Sequence, residues 1–321
     1  MGDATLPAFP TRHPPIAVLT GPTGTGKSDI ALRLAREFPI EIVSVDSAQV
    51  YRGLDIGSAK PDAATRAAVA HHLLDLVEPT ASYSAGQFVR DAAFAIADIE
   101  ARGRIPLLVG GTMLYLRSLI GGIALLPQGS EQIRAEIDAD ARRLGWPALH
   151  ARLGGVDERA AARIHPNDAQ RIQRALEVYA VTGEPISALQ ARTRSPLTRE
   201  FRCAALIPQD RARLHQDLAR RFETMMAEGL LDEVRRLFAR GDLTDDNPAI
   251  RAVGYRQLWS HLSGAYPLEI AVSRAVAATR QLAKRQMTWL RSMPNIIGVD
   301  PYDAQSFVGV RESLFASFER G

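Results

Sequence analysis

The sequence predicts an α/β fold: a parallel sheet flanked by helices, P-loop NTPase-like in its first segment, with a helical insertion domain. Three observations predict it. Residues 16–36 read as a short apolar run, a glycine-rich loop and an amphipathic helix, in that order. Two further runs, Glu41–Val45 and Ile105–Val109, each stop at a polar or glycine motif. From about Leu126 to Met293 the pattern turns almost wholly helical. Strands alternating with helices imply a parallel sheet whose ligands sit at the strand C-terminal ends.

The first element is Ile16-Ala17-Val18-Leu19, short and apolar as a buried parallel strand requires. It leads into Gly21-Pro22-Thr23-Gly24-Thr25-Gly26-Lys27-Ser28, which fits G-x-x-x-x-G-K-[ST], the phosphate-binding loop. Glycines let backbone N–H groups curl around phosphate oxygens, and the helix that follows adds its partial positive charge. Gly21, Thr23, Gly24, Thr25, Gly26, Lys27 and Ser28 are therefore the candidate anion-binding residues. Lys27 would reach the bridging and terminal oxygens, and Ser28 would hold Mg²⁺. Ile30, Leu32, Leu34 and Ala35 alternate with charge over Asp29–Arg36 as on an amphipathic helix.

The β-branched run Glu41–Val45 ends at Asp46. Ala85–Arg102 carries Phe88, Ala92, Ala95, Ile96 and Ile99 at helical spacing. Ile105–Val109 is a third strand, stopping at Gly110-Gly111-Thr112. The character changes at Leu126-Pro127-Gln128-Gly129-Ser130. Pro166-Asn167-Asp168 opens a helix that Gly183 stops, Phe201–Ile207 is the clearest later strand, and residues 193–202 read as a loop. The expected organisation is an α/β core over 1–127 and 201–321, its last helices from about 209 to 293, with a helical insertion over 128–200.

Composition narrows the function classes. The chain of 321 residues is 46% hydrophobic and 23% charged, an ordinary globular balance. No apolar run approaches the roughly 18 residues that a membrane span needs. The start MGDATLPAFPTRHPP lacks a basic-then-apolar signal pattern and reads as a loose tail. The single cysteine, Cys203, excludes a disulfide framework or cysteine-rich zinc site and suits the cytoplasm. The net charge is only +3, but no acid lies between Glu269 and Asp300, where Arg274, Arg280, Lys284, Arg285 and Arg291 occur. An acid-free basic stretch of this length favours a polyanionic partner.

The phosphate loop alone leaves the chemistry open. ATPases and GTPases of this type have a strand ending in Asp that helps hold Mg²⁺; here Pro106–Val109 ends in Gly-Gly-Thr. The one strand-terminal acid is Asp46, about twenty residues after Lys27, where small-molecule kinases carry an acid facing the phosphoryl acceptor. Phosphoryl transfer, with a nucleotide leaving, and alkyl transfer, with diphosphate leaving, both use such a loop, since it stabilises charge developing on phosphate oxygens. The residues by themselves leave both standing.

The combined motifs resemble the bacterial tRNA dimethylallyltransferases, or isopentenyl-diphosphate:tRNA transferases. They are GPTGTGKS (21–28), DSAQVYRGLDIGSAKP (46–61), HHLLD (71–75), YSAGQF (83–88), GGTMLYLRSLIGG (110–122), QRIQRALEVY (170–179), IRAVGYRQLW (250–259) and KRQMTWLR (284–291). The resemblance runs over residues 16 to 293. It implies transfer of a dimethylallyl group from dimethylallyl diphosphate to the exocyclic amine of the adenosine 3′ of the anticodon, in tRNAs reading codons that begin with U. With a single cysteine in the sequence, the zinc finger of the eukaryotic members is expected to be absent.

The resemblance also assigns roles. Asp46 would accept a proton from the adenine amine, Lys27 would neutralise the departing diphosphate, and Thr112 matches a threonine beside the site; Arg221 resembles an arginine that contacts the diphosphate. Asp46, Ser47, Ala48 and Gln49 match the segment meeting the target base. Arg134, Gln170, Arg171, Ile172, Gln173, Arg174, Arg251, Gly254, Tyr255 and Arg256 fall in tRNA-contacting motifs, as do Lys284, Arg285, Gln286, Thr288, Trp289 and Arg291. Spacing puts Arg171 and Arg174 on one helix face, and likewise Lys284, Thr288 and Arg291. His71 and His72, without acid or Cys partners at metal spacing, are expected to line or buttress the site. The expected partners are the tRNA anticodon stem-loop and dimethylallyl diphosphate, with Mg²⁺ as cofactor, no membrane, and a monomer as the default. Two rivals remain: a small-molecule phosphotransferase using Asp46 as base, and a nucleotide-switched RNA-binding protein.

Overall fold

The computed structural model describes residues 14–122, 124, 126–127, 129–192, 197 and 199–316. Most of the N-terminal tail, Gln128, and residues 193–196 and 198 of the expected loop lie outside the described residues. Compactness divides the chain into one unit of Met1–Arg117 with Leu197–Gly321, and a second of Ser118–Pro196.

The first unit opens with β1 (Ile16–Thr20), α1 (Lys27–Glu37) and β2 (Ile40–Val45). Every residue of both strands is buried, which is why they read as continuous apolar runs rather than alternating ones. Then come α2 (Ala63–Ala68), β3 (His71–His72), α3 (Ala85–Ala101), β4 (Ile105–Gly110) and α4 (Met113–Gly121), the last running across the junction into the second unit. A capping box opens α3: Ser84 accepts from Gln87 N–H while the Gln87 side chain returns to the Ser84 backbone.

The second unit continues with α5 (Glu131–Leu144), α6 (Trp146–Val156), α7 (Glu158–Ala161), α8 (Ala169–Thr182) and α9 (Ile186–Ala191). Asp168 caps α8 by accepting from Arg171 N–H, and Gly183 ends it at φ 71°, a left-handed conformation that suits glycine. Ile137, Leu149, Leu153, Ile172, Leu176 and Val178 are the buried centre of a core drawn entirely from this segment.

Returning to the first unit, the chain forms β5 (Phe201–Leu206), α10 (Arg211–Ala227), α11 (Leu230–Phe238), α12 (Tyr255–Leu262), α13 (Leu268–Ser292), β6 (Ile296–Val299) and α14 (Ser306–Phe315). The described strands make one six-stranded parallel sheet in the order β3-β2-β4-β1-β5-β6. From β1 the chain first moves out to β2 and fills the gap with β4, and later continues on the other side with β5 and β6. The phosphate loop therefore leaves the strand at which sheet order reverses, the place where open parallel sheets hold ligands. Strand β6 and helix α14 lie beyond 293, where the sequence pattern places the last of the core's helices. Strand β6 is a half-exposed edge of four residues, too short for a period to register. Helix α14 buries Phe307, Val310, Leu314 and Phe315 with α1 and β1, and Phe315 stacks on Phe38 at 4.5 Å.

Candidate active site

Three strand ends converge beside the loop. The register pairs Thr20 of β1 with Gly110 of β4, and Gly110 with Val45 of β2. A Cβ at Gly110 would stand 2.2 Å from the Val45 carbonyl oxygen, so only glycine fits there. The Thr20 hydroxyl donates to Gly110 O at 2.9 Å, and Thr112 N–H donates to Val45 O at 3.1 Å. Asp46 follows β2 directly, two strands from the loop, and neighbouring strands are about 4.8 Å apart. The acid and the loop therefore leave strand ends about 10 Å apart on the same edge of the sheet, where open parallel sheets form their ligand crevice.

The phosphate loop has the backbone that its glycines foretell. Gly24 and Gly26 take φ of 79° and 78°, and α1 begins at Lys27 with no side-chain cap, leaving its first N–H groups for an anion. The Pro22 carbonyl accepts from the Thr25 hydroxyl at 2.8 Å and from Lys27 Nζ at 2.7 Å. Desolvation, with the Arg221 guanidinium close by, lowers the Lys27 ammonium to about 8, while Asp46 pulls the other way. Arg221, on α10, is itself lowered by desolvation and held up by Asp46 and Asp29. Its guanidinium has no hydrogen-bonding partner among the described residues. The Arg221 guanidinium, the Lys27 ammonium and the uncapped N–H groups at the start of α1 together leave positive charge that suits a multiply charged anion.

Asp46 is half-buried, and one oxygen is committed. Its Oδ1 accepts from Ala48 N–H at 2.8 Å and Gln49 N–H at 3.3 Å, a turn rather than the start of a helix. Oδ2 has no partner among the described residues. Thr112 Oγ1 accepts from Ser47 N–H at 3.0 Å, which ties the turn to the end of β4. Gln49 turns inward: its side chain bridges Ser44 to the carbonyls of Ser58 and Ala59. Ser47 is exposed and Ala48 half-buried.

Sequence reasoning missed what holds this loop. Glu233 of α11, almost wholly buried, accepts from the N–H groups of Asp55, Ile56 and Gly57 and from the Tyr255 hydroxyl at 2.6 Å. Lys60, buried at its side chain, donates to Tyr51 O and pairs with Asp55 and Asp75. Neither residue type betrays this in a sequence, since an acid on an amphipathic helix and a lysine in a loop are ordinarily solvated. The histidines hold β3 in place: His72 Nε2 meets the buried Glu41 at 2.7 Å and His71 Nδ1 meets Val69 O. Among the described residues no group of three His, Cys, Asp or Glu side chains could hold a metal.

The expected RNA contacts divide. On α13, Lys284, Arg285, Thr288 and Arg291 are exposed, and Lys284, Arg285, Thr288 and Trp289 border a groove of about 320 Å³. Trp289 is half-buried, with the Arg117 guanidinium 5.4 Å from its ring. Arg251 is exposed and pairs with Asp246, Arg256 is exposed, and Gly254 opens α12 at φ 92°. Within the second unit Gln170 and Arg171 are exposed, Arg171 pairing with Asp168, while Gln173 donates to Asp138. Arg134 and Arg174 both bind the fully buried Glu177, at 2.8 and 2.6 Å. Glu177 is a further residue the sequence left unremarked. The side chains of Ile172, Tyr255 and Gln286, expected to meet RNA, are buried instead. Ile172 is in the helical core, Tyr255 is fully buried against Glu233, and Gln286 faces the loop.

Fold and site define a phosphate-loop protein in which an anion cradle faces a carboxylate, with no acid at the end of β4. Comparison with known families makes this specific. The family model described as IPP transferase matches residues 49–293, and one described as isopentenyl transferase matches 14–75. A tRNA dimethylallyltransferase of Bordetella petrii is 54% identical over 289 residues, covering 89% of this chain and 92% of the relative. Another, of Methylibium petroleiphilum, is 55% identical over 297 residues, with 90% and 91% covered. The crystal structure of a tRNA isopentenylpyrophosphate transferase of Bacillus halodurans is similar with a TM-score of 0.67 at 34% identity, covering 96% and 99% of the two chains. A eukaryotic dimethylallyltransferase, solved in snapshots acting on tRNA, gives 0.76 at 27% identity, with 95% and 77% covered. The chain belongs to the IPP transferase family.

Proposed function

We propose that this chain transfers a dimethylallyl group from dimethylallyl diphosphate to the exocyclic N6 amine of an adenosine in tRNA, the one 3′-adjacent to the anticodon in tRNAs reading codons starting with U. The observation that carries this reading is the pairing of an anion loop with an acid across one crevice, where Asp46 keeps Oδ2 without a partner. Family membership and relatives named tRNA dimethylallyltransferase support the same chemistry.

In the reaction a nitrogen–carbon bond forms as the carbon–oxygen bond to diphosphate breaks, and the leaving oxygen takes the electron pair. The Gly24–Ser28 backbone, the Lys27 ammonium and Arg221 stabilise the charge that develops on that oxygen. The amine proton passes to Asp46, which makes a poor nucleophile competent as the new bond forms. The adenine must leave its stack to reach the acid. The exposed cations of α13, with Arg171, Arg251 and Arg256, suit the phosphates of an anticodon stem-loop.

The residues present also fit Mg²⁺. The Ser28 hydroxyl has no partner among the described residues. Mg²⁺ prefers few protein ligands plus substrate phosphate oxygens and water, so a lone hydroxyl beside an anion cradle suits it. Bound there, it would neutralise diphosphate charge. The working place is a cytoplasm, where tRNA is found, and among the described residues no helix is long and apolar enough to cross a membrane.

The test combines labelled dimethylallyl diphosphate, unmodified tRNA and magnesium. Label is expected in RNA at the adenosine following the anticodon. Phosphoryl transfer from ATP with no RNA labelling would overturn the reading in favour of a small-molecule kinase.

A further inference from the structure

We propose that Gln286 is a positioning residue that locks the phosphate loop to the Gly110–Thr112 turn, and that its side chain is not an RNA contact. The inference rests on reading that loop as a diphosphate site.

Gln286 sits on the inner face of α13, in line with the buried Ala283, Met287 and Leu290, while Lys284, Arg285 and Thr288 face outward. Its Oε1 accepts from Thr23 N–H at 2.9 Å, and its Nε2 donates to Gly111 O at 2.7 Å. The amide orientation is dictated by its partners, since a backbone N–H only donates and a carbonyl only accepts. The approach is close: a Cβ at Gly111 would lie 2.6 Å from Gln286 Nε2 and 3.0 Å from Gly21 O.

Two consequences follow for the site. First, the clamp fixes the Pro22–Thr23 peptide, turning Thr23 N–H away from the anion and orienting the Pro22 carbonyl that holds Lys27 Nζ. Second, the connection continues from Gly111 to Thr112, whose hydroxyl accepts from Ser47 N–H beside Asp46. One buried amide thus joins the loop that holds the leaving group to the strand end that steadies the acid. Preorganised donors owe their effect to being fixed before the substrate arrives, so freeing this joint weakens anion binding first.

The experiment uses Gln286→Leu in the full chain, which keeps an apolar side chain on the inner face of α13 and removes both hydrogen bonds. Calorimetry with inorganic diphosphate and magnesium, and fluorescence anisotropy with an anticodon stem-loop RNA, report the two sites separately. The expected result is at least a tenfold loss of diphosphate affinity, with a matching rise in KM for dimethylallyl diphosphate, while Kd and KM for RNA stay within twofold. Gly111→Ala, which forces the joint apart from its other end, is expected to reproduce that split even if the leucine variant folds badly. Unchanged diphosphate binding in either folded variant overturns the proposal. So does a tenfold loss of RNA affinity with diphosphate binding intact, which would return Gln286 to the RNA surface. Wild-type protein that fails to bind diphosphate would instead remove the underlying reading of the loop.

Discussion

Asp46 does two jobs with two oxygens. Oδ1 shapes its own turn through Ala48 and Gln49, and Oδ2, without a partner among the described residues, is the atom proposed to take the proton. Asn in its place keeps an acceptor for both N–H groups but cannot take a proton. Asp46→Asn should therefore fold and bind both substrates as wild type does, with single-turnover transfer slower by about 10²–10⁴. An unchanged rate would take the base role away from Asp46. Lys27 carries a cost of the opposite kind. Its native value of about 8 lies below the ordinary 10.5, so the native state disfavours the charged form. Between those values the unfolded chain binds more protons, and stability rises with pH. Lys27→Met in metal-free protein should then be more stable than wild type at pH 7, by up to about 3 kcal/mol, with the advantage fading as pH climbs from 8 toward 10.5. Urea melts across that range would show it; a difference independent of pH would contradict it.

At the scale of elements, what was legible in the sequence had a local cause. The phosphate loop, helix α3, the stop of α8 at Gly183 and the buried strands β1, β2 and β4 follow from glycines, helical spacing and apolar runs within a few residues of one another. The family motifs likewise led to Asp46, Thr112 and Lys27 as neighbours of one crevice. What stayed hidden was long-range: Gln286 meets Thr23 across 263 positions, and Glu233 meets Ile56 across 177. Such partners have no period or spacing to read. Glu233 is the more consequential, because the segment from Asp46 to Lys60 packs on α11 and α12 through it. Glu233→Ala would leave three backbone N–H groups and the Tyr255 hydroxyl without their acceptor. The expected cost is about 3–5 kcal/mol in denaturant unfolding, with turnover falling beyond what the lost stability explains. A cost under about 1 kcal/mol would make Glu233 an ordinary surface acid.

At the scale of the whole molecule, the chain spends its middle on a unit with its own core. Ile137, Leu153, Ile172, Leu176 and their neighbours bury against one another, and the sheet's core is drawn from residues outside that segment. The proposed roles of the two units can therefore be tested apart. The anion loop, Asp46, Gln286 and Glu233 all belong to the first unit, while Arg134, Arg171 and Arg174, with the buried Glu177, belong to the second. A protein in which residues 122–198 are replaced by a Gly/Ser linker should keep a cooperative melt and bind magnesium diphosphate within about threefold of wild type. It should lose most of its affinity for the anticodon stem-loop, since each phosphate contact removed lowers both affinity and the steepness of its salt dependence. Plotting log Kd for RNA against log salt for both proteins measures this directly. A shallower slope for the shortened protein, with diphosphate binding retained, is the expected outcome; loss of diphosphate binding would mean that the anion site depends on the helical unit after all.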